Sequence, residues 1–216
     1  MKPKYLIFDF DGTIADTETG IIRTVQATLE ALGLPPADPA TVKASIGLPL
    51  KGSLKASGIP DGLLDEGERV YRELFFKKAP EHIVLFPDIK ETLSDLCASG
   101  YVLAIATSRG RESLGNLLES HGIRQYFSVL GTVECAPVPK PAPDTVLYVL
   151  DRLGARAEES VVIGDTAFDI EMGRHAGCRT CGVTYGNHDR VRLEAAGADR
   201  IINGIKELPG LLKHLI

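Results

Sequence analysis

The chain has 216 residues, 44% of them hydrophobic, and its 24 basic and 29 acidic residues give a net charge of −5. This length suits one domain with an inserted lobe better than two full domains. No basic run with interleaved aromatic residues occurs, which argues against a nucleic acid partner. No apolar stretch approaches the roughly 18 residues of a membrane span, and the N-terminus lacks the apolar segment of a signal peptide. We therefore expect a cytoplasmic protein without membrane contact.

Short apolar runs alternate with helical patterns along most of the chain. The first run, Tyr5–Phe8, predicts a buried strand that ends at Asp9. Similar runs predict strands at Val102–Ala106, Phe127–Leu130, Val161–Ile163 and Thr180–Thr184. Strands that alternate with helices indicate an α/β fold, with a parallel sheet between two layers of helices.

Residues 16–82 interrupt this alternation. They contain helical patterns and no convincing strand, and two turn signals, at residues 33–36 and 59–62, divide them. We interpret this segment as a helical lobe inserted after the first strand, with hinges at residues 14–18 and 79–86. The core domain would then consist of residues 1–15 and 83–216.

The first chemical motif is the segment Asp9-Phe10-Asp11-Gly12-Thr13, directly after the first strand. Carboxylates at positions i and i+2 of an extended chain point the same way, and Gly12 allows a sharp turn after them. One carboxylate could attack a phosphorus atom while the other exchanges a proton with the leaving oxygen. The alternative is an Asp-rich turn without a chemical role.

Two further motifs could bind an anion. Thr107 and Ser108 follow the strand that ends at Ala106, and hydroxyl groups with free backbone N–H groups before a helix can hold a phosphate. Ser and Thr also cap many helices without any ligand. Lys140 lies in a Pro-rich loop and is either a solvated loop charge or the cation that an anionic substrate requires.

The fourth motif places two more carboxylates after a strand. Asp165 follows the run Val161–Ile163, and Asp169 lies one helical turn later. With Asp9 they would form a cluster of oxygen ligands, and such a cluster suits Mg²⁺. Without a cation these carboxylates would repel one another.

Together the four motifs, DFDGT, the strand-end Thr-Ser, KPAPD and GDTAFD, resemble those of the haloacid dehalogenase-like (HAD) hydrolase superfamily. The resemblance covers nearly the whole chain and implies a Rossmann-type core with an inserted helical cap of type C1, formed by residues 16–82. It implies a small phosphorylated metabolite as the substrate, and we expect a monomer or a weak homodimer.

The resemblance also implies a role for each motif residue. Asp9 would be the nucleophile that forms an aspartyl-phosphate, and Asp11 the general acid and base. Thr107, Ser108 and Lys140 would bind the phosphate. The Mg²⁺ ligands would be Asp9, the backbone carbonyl of Asp11 and Asp165, with Asp169 acting through water or as an orienting neighbour.

Within the superfamily, the phrases IGLPL (residues 46–50) and GVTYGN (residues 182–187) and the C-terminal segment resemble phosphoglycolate phosphatases. Related pyrophosphatases and sugar-phosphate phosphatases are alternatives. Asp11 argues against a dehalogenase, and Ile21 stands where capped mutases carry a histidine. Lys51 or Lys55 would be needed for a phosphonatase, and a non-catalytic phosphate-binding module would not need Asp11. Lys51 and Arg109 are candidate cations for a substrate carboxylate.

The four cysteines leave one smaller question. Cys178 and Cys181 form a CxxC pair, which could bind a metal or act in redox chemistry. Cys181 lies within an apolar run, and no second CxxC or His pair accompanies it. We therefore expect reduced thiols within the core.

Overall fold

A six-stranded parallel sheet forms the centre of the protein. The computed structural model describes residues 4–78 and 82–213. In chain order the strands are β1 (Tyr5–Phe8), β2 (Ala15–Asp16), β3 (Val84–Leu85), β4 (Val102–Ala106), β5 (Phe127–Gly131), β6 (Ser160–Gly164), β7 (Arg179–Val183) and β8 (Arg200–Ile202). The sheet has the order β5-β4-β1-β6-β7-β8, so β1 lies in its middle, between β4 and β6.

Helices cover both faces of this sheet. The α-helices are α1 (Glu18–Ala31), α2 (Pro39–Ala44), α3 (Leu50–Ala56), α4 (Leu64–Lys78), α5 (Ile89–Ala98), α6 (Arg111–Ser120), α7 (Asp144–Leu153), α8 (Ala167–His175), α9 (Arg190–Ala195) and α10 (Leu208–Leu212). The predicted α/β fold with a parallel sheet between helices is thereby confirmed.

Successive residues of β1 face the two opposite layers, as strand geometry requires. Leu6 and Phe8 pack in the larger core cluster, which also includes Leu93 of α5 and Leu114 of α6. Ile7 packs on the other face, in a cluster with residues of α7 and α8. Every residue of β1 is buried, so the position of Asp9 directly after it is fixed by packing on both sides.

The helices α1 to α4 form the inserted lobe. β2 and β3 lie at its two ends and pair antiparallel, with Ala15 opposite Leu85 and Asp16 opposite Val84. The sequence predicted no strand within residues 16–82, whereas Asp16 belongs to this short pair. Two-residue strands carry too little of a periodic pattern to be recognised in a sequence. The pair gives the lobe two connections to the core that lie side by side.

The predicted strands of the core were found within one or two residues of their positions. The edge strand β8 was missed, because Arg200–Ile202 is only three residues long. Among the described residues, none of the helices combines the length and the apolar character needed to cross a bilayer. Cys178 and Cys181 are free, buried and packed in different core clusters, and burial raises the pKa of both thiols to about 12.

Candidate active site

The four sequence motifs meet at the carboxyl edge of the sheet. Asp9, Thr107 and Asp165 directly follow or lie next to the ends of β1, β4 and β6, which are neighbours in the sheet. Lys140 lies in the loop before α7. Ligands of open parallel sheets bind at this edge, at the point where the strand order reverses. The scattered motifs therefore face one common site.

Lys140 connects two of the carboxylates. Its ammonium donates hydrogen bonds to Oδ1 of Asp9 at 2.7 Å and to Oδ1 of Asp169 at 2.6 Å. All three side chains are at most 4% exposed. Burial lowers the pKa of Lys140, but the attraction of Asp169 and Asp9 outweighs it, and the pKa lies above its ordinary value. Lys140 is therefore a buried cation within the site and not a solvated loop charge.

The carboxylate of Asp165 accepts three hydrogen bonds. Its Oδ1 accepts from the Thr13 hydroxyl at 3.0 Å, and its Oδ2 accepts from the backbone and side-chain nitrogens of Asn187, both at 2.8 Å. Gly12 has a φ of +84°, and a Cβ there would collide with the carboxylate of Asp165. A glycine at position 12 thus allows both the turn after β1 and the close approach of Asp165.

Three carboxylates form a candidate metal site. Oxygen atoms of Asp9, Asp165 and Asp169 lie within 4.8 Å of one another, and all three residues are buried. Burial raises the pKa of Asp9 well above its ordinary value, and repulsion by Asp169 and Asp165 adds to this effect against the attraction of Lys140. Burial and Asp169 raise the pKa of Asp165 to about 7. The cluster carries more negative charge than Lys140 offsets, and its hard oxygen donors fit Mg²⁺.

Asp169 has a second function that the sequence analysis did not identify. Its Oδ2 accepts hydrogen bonds from the backbone N–H and the hydroxyl of Thr166, the residue that caps the N-terminus of α8. Both of its oxygens thus already have donors, whereas only Oδ1 of Asp9 accepts a bond from Lys140. Asp165 also has donors on both oxygens, but they belong to the neutral side chain of Thr13 and to Asn187, whereas one oxygen of Asp169 is bonded to the cation Lys140. Because Lys140 already offsets part of the charge of Asp169, an orienting role suits Asp169 better than it suits Asp165.

The side chain of Asp11 is paired with Arg109. Both of its oxygens accept hydrogen bonds from Arg109, from Nε at 3.0 Å and from Nη2. Arg109 also donates to Ser113 at 2.7 Å and lies over the ring of Phe75 in the lobe, 4.7 Å from its centroid. Asp9 and Asp11 both line the same cavity, and the expectation that their carboxylates point the same way stays a prediction.

The residues predicted to bind phosphate already form hydrogen bonds within the protein. The Thr107 hydroxyl accepts from the backbone N–H of Arg109 at 3.2 Å. The Ser108 hydroxyl donates to the backbone carbonyl of Gly47 in the lobe at 2.8 Å. The N–H of Arg111, at the start of α6, donates to the carboxylate of Glu134. Ser108 thus connects the core to the lobe across the site.

A cavity of about 270 Å³ lies between the core and the lobe. Its lining includes Asp9, Asp11, Thr107, Ser108 and Arg109 from the core. The lobe contributes apolar side chains, among them Ile21, Leu50, Phe75 and Phe76, and the charged side chains Lys51, Glu68 and Arg72. The cavity therefore has a polar base at the sheet edge and a largely apolar wall on the lobe.

Comparison with known proteins places this geometry in a family. Residues 6–183 match the family model of the haloacid dehalogenase-like hydrolases. Among curated proteins, the "Probable phosphatase IndB" of Dickeya dadantii is 36% identical, over 100% of this chain and 96% of its own. A phosphoglycolate phosphatase of Chromobacterium violaceum is 31% identical, over 98% of this chain and 97% of its own.

A solved structure supports the same comparison. The haloacid dehalogenase-like family hydrolase of Streptococcus pneumoniae superimposes with a TM-score of 0.87 at 26% identity. The match covers 97% of this chain and 98% of that protein. The similarity thus includes the inserted lobe as well as the sheet.

Proposed function

Because the chain belongs to the haloacid dehalogenase-like hydrolase family and is a phosphoric monoester hydrolase, we propose that it is a Mg²⁺-dependent phosphatase that forms an aspartyl-phosphate on Asp9. The observation that carries this proposal is the buried group in which Lys140 bridges Asp9 and Asp169 beside Asp165. A lysine in contact with the attacking carboxylate can also bind the transferred phosphoryl oxygens, and phosphoryl transfer depends chiefly on such positioning and charge neutralisation.

Asp9, Asp165 and the backbone carbonyl of Asp11 would hold the Mg²⁺, and Asp169 would orient its neighbours. When bound, the ion would neutralise charge on the nucleophile and on the phosphoryl group. Asp9 keeps one carboxylate oxygen, Oδ2, without a bond to Lys140. This oxygen would attack phosphorus, while Lys140 holds the other oxygen in place.

Asp11 would donate a proton to the leaving oxygen and then accept a proton from the attacking water. Thr107 and Ser108 would hold the phosphoryl oxygens. We further propose that residues 16–82 act as a cap over a core of residues 1–15 and 83–216, and that the bond from Ser108 to Gly47 marks its closed position.

Phosphoglycolate is the first substrate to test, because several relatives carry the name phosphoglycolate phosphatase. A capped pyrophosphatase and a sugar-phosphate phosphatase are the alternatives. A mutase is disfavoured by Ile21, an apolar residue in the wall of the cavity. The phosphonatase alternative is disfavoured at Lys51, because its hydrogen bond to Asp65 raises its pKa, whereas a Schiff base requires the neutral amine.

The proposal is tested with p-nitrophenyl phosphate and the variant Asp9→Asn. Wild-type protein should hydrolyse the ester only with Mg²⁺, and rapid acid quench should trap phosphate on the peptide that contains Asp9. Asp9→Asn should retain the wild-type circular dichroism spectrum and lose at least about a thousandfold in rate, which corresponds to roughly 4 kcal/mol of barrier. Turnover by the pure variant above that limit would remove Asp9 from its role as nucleophile.

A further inference from the structure

The cavity between the core and the lobe contains charged groups of both signs in equal number. Its lining includes three carboxylates, on Asp9, Asp11 and Glu68, and three cations, on Lys51, Arg72 and Arg109. Asp9 is already in contact with a further cation, Lys140. The distribution of these charges decides whether a second anionic group on a substrate would find a partner.

Each of the three lining cations has a carboxylate within contact distance. Arg109 forms two bonds with Asp11, and both side chains are at least 87% buried. Arg72 donates to Glu68 at 2.7 Å. Lys51 contacts Asp65 at 2.6 Å and Glu68 at 3.6 Å. Within the described part of the chain, the cavity lining therefore offers no cation without an acidic partner.

A substrate carboxylate could recruit Arg109 only by displacing Asp11. Breaking a buried pair leaves one charge without compensation, which is unfavourable. Arg72 and Lys51 are more exposed, but both share Glu68, so an anion beside them would be repelled by that carboxylate. The apolar side chains Leu50, Phe75 and Phe76 line the same wall, and they would favour an apolar part of a substrate over a charged group.

We infer that the cavity selects phosphomonoesters whose leaving group is an uncharged alcohol, and that it discriminates against leaving groups with a carboxylate or a second phosphate. A cavity of about 150 Å³ can hold a benzene molecule, so 270 Å³ accommodates the phosphoryl group together with an alcohol of about one ring. This inference rests on the proposed phosphatase function and narrows its substrate class.

Two matched phosphoesters test the inference. Phosphoglycolate and 2-hydroxyethyl phosphate have the same chain length and differ in a carboxylate against a hydroxymethyl group. Their inhibition constants are measured against Mg²⁺-dependent hydrolysis of p-nitrophenyl phosphate by the wild-type protein. We expect 2-hydroxyethyl phosphate to bind at least about fivefold more tightly than phosphoglycolate. The reason is that Glu68 and Asp11, which pair with the cations of the cavity, repel the carboxylate of phosphoglycolate.

A pair of variants tests whether the charge of Glu68 causes the preference for the uncharged ester. Glu68→Gln removes the ion-pair partner of Arg72 and one of the two carboxylates beside Lys51, which stays paired with Asp65. It should reduce the preference for the uncharged ester about threefold or more by improving the binding of phosphoglycolate. Asp61→Asn is the control, because Asp61 pairs with Lys55 at 2.6 Å, and neither residue is among those that line the cavity. The control should leave the preference unchanged.

The outcomes separate this inference from the proposed function. If phosphoglycolate binds the wild type as tightly as its uncharged analogue or more tightly, the inference is overturned while Asp9-dependent hydrolysis of p-nitrophenyl phosphate still supports the phosphatase. If Glu68→Gln leaves the preference unchanged, the charge of Glu68 is not its cause and the inference loses its physical basis. If the wild type shows no Mg²⁺-dependent hydrolysis, the proposed function fails and the inference fails with it.

Discussion

Two regions at the cavity between the core and the lobe are built in different ways. The acidic floor, formed by Asp9, Lys140, Asp165 and Asp169, is buried, and Lys140 joins the carboxylates of Asp9 and Asp169 through short hydrogen bonds. The lobe wall, formed by Lys51, Glu68 and Arg72, has side chains that are 24% to 51% exposed. Buried charges must be paired, so removal of a single partner has a large effect, whereas exposed pairs contribute little each. Substitutions in the wall should therefore be tolerated more easily than substitutions in the floor.

The largest expected effect is the removal of the cation from the acidic floor. Dialysis against EDTA should reduce hydrolysis of p-nitrophenyl phosphate below about a thousandth of the original rate, because Asp9, Asp165 and Asp169 together outnumber the charge of Lys140. Mg²⁺ should restore the rate. Ca²⁺ should bind and inhibit, since it accepts bidentate carboxylates and would leave Asp9 no free oxygen for attack. Full activity in excess EDTA would contradict the metal assignment.

A metal-binding comparison separates the two carboxylates that lie beside Asp9. Asp165→Asn should raise the Mg²⁺ concentration for half-maximal activity far more than Asp169→Asn does. Asp169 is already bonded to the cation Lys140, whereas Asp165 accepts hydrogen bonds from the neutral groups of Thr13 and Asn187, so the charge of Asp165 depends more on a metal ion for compensation. Equal shifts for the two variants, measured by Mg²⁺ titration of the rate, would place both in direct contact with the ion.

A smaller but still large effect is expected from Lys140→Met. It leaves the buried carboxylates of Asp9 and Asp169 without their cation, and should lower the free energy of unfolding by about 3 kcal/mol. It should also reduce kcat about a hundredfold or more. The control is Lys206→Met, which breaks an exposed pair with Asp88 and should leave both quantities unchanged. Urea denaturation without Mg²⁺ gives the stabilities, and equal stabilities for the two variants would contradict the difference between buried and exposed pairs.

Asp11→Asn should divide substrates by their leaving groups. An alkyl phosphate needs protonation of its leaving oxygen and should lose about a hundredfold or more in rate, whereas p-nitrophenyl phosphate, whose leaving group is a weak base, should lose about tenfold or less. The ratio of the two rates is an internal control for a change in folding or in the bond to Arg109. If both esters slow equally and the trapped intermediate still hydrolyses normally, Asp11 is not the acid and base.

The positions of the floor residues could be predicted from the sequence because most of them follow a recognisable buried strand. Asp9 and Asp165 come directly after apolar runs that pair side by side in the sheet, and parallel strands bring such residues to one edge. Lys140 has no strand directly before it, and only its place in the KPAPD phrase indicated a role. Asn187 belongs to the GVTYGN phrase, which gave no sign of its bonds to Asp165.

The ion pairs around the cavity, including those of the lobe wall, could not be predicted in the same way. The pairing of Asp11 with Arg109 joins residues 98 positions apart and depends on how α6 and the lobe pack, which no local pattern contains. Arg109 was a candidate for a substrate carboxylate, and its actual partner is Asp11. Periodicity likewise placed α4 on the lobe without showing that Glu68 would pair with both Lys51 and Arg72.

The smallest predicted effect lies where the two regions meet. Ser108 donates a hydrogen bond to the carbonyl of Gly47 at 2.8 Å, so Ser108→Ala removes a contact between core and lobe as well as a candidate phosphate ligand. Because a single neutral hydrogen bond contributes about 1 kcal/mol, KM should rise about fivefold while kcat changes less than about threefold. The control Ser120→Ala removes a bond to Leu117 within the same helix and should change neither constant. A loss of kcat as large as that of Lys140→Met would instead show that Ser108 takes part in the chemical step and belongs with the residues of the acidic floor.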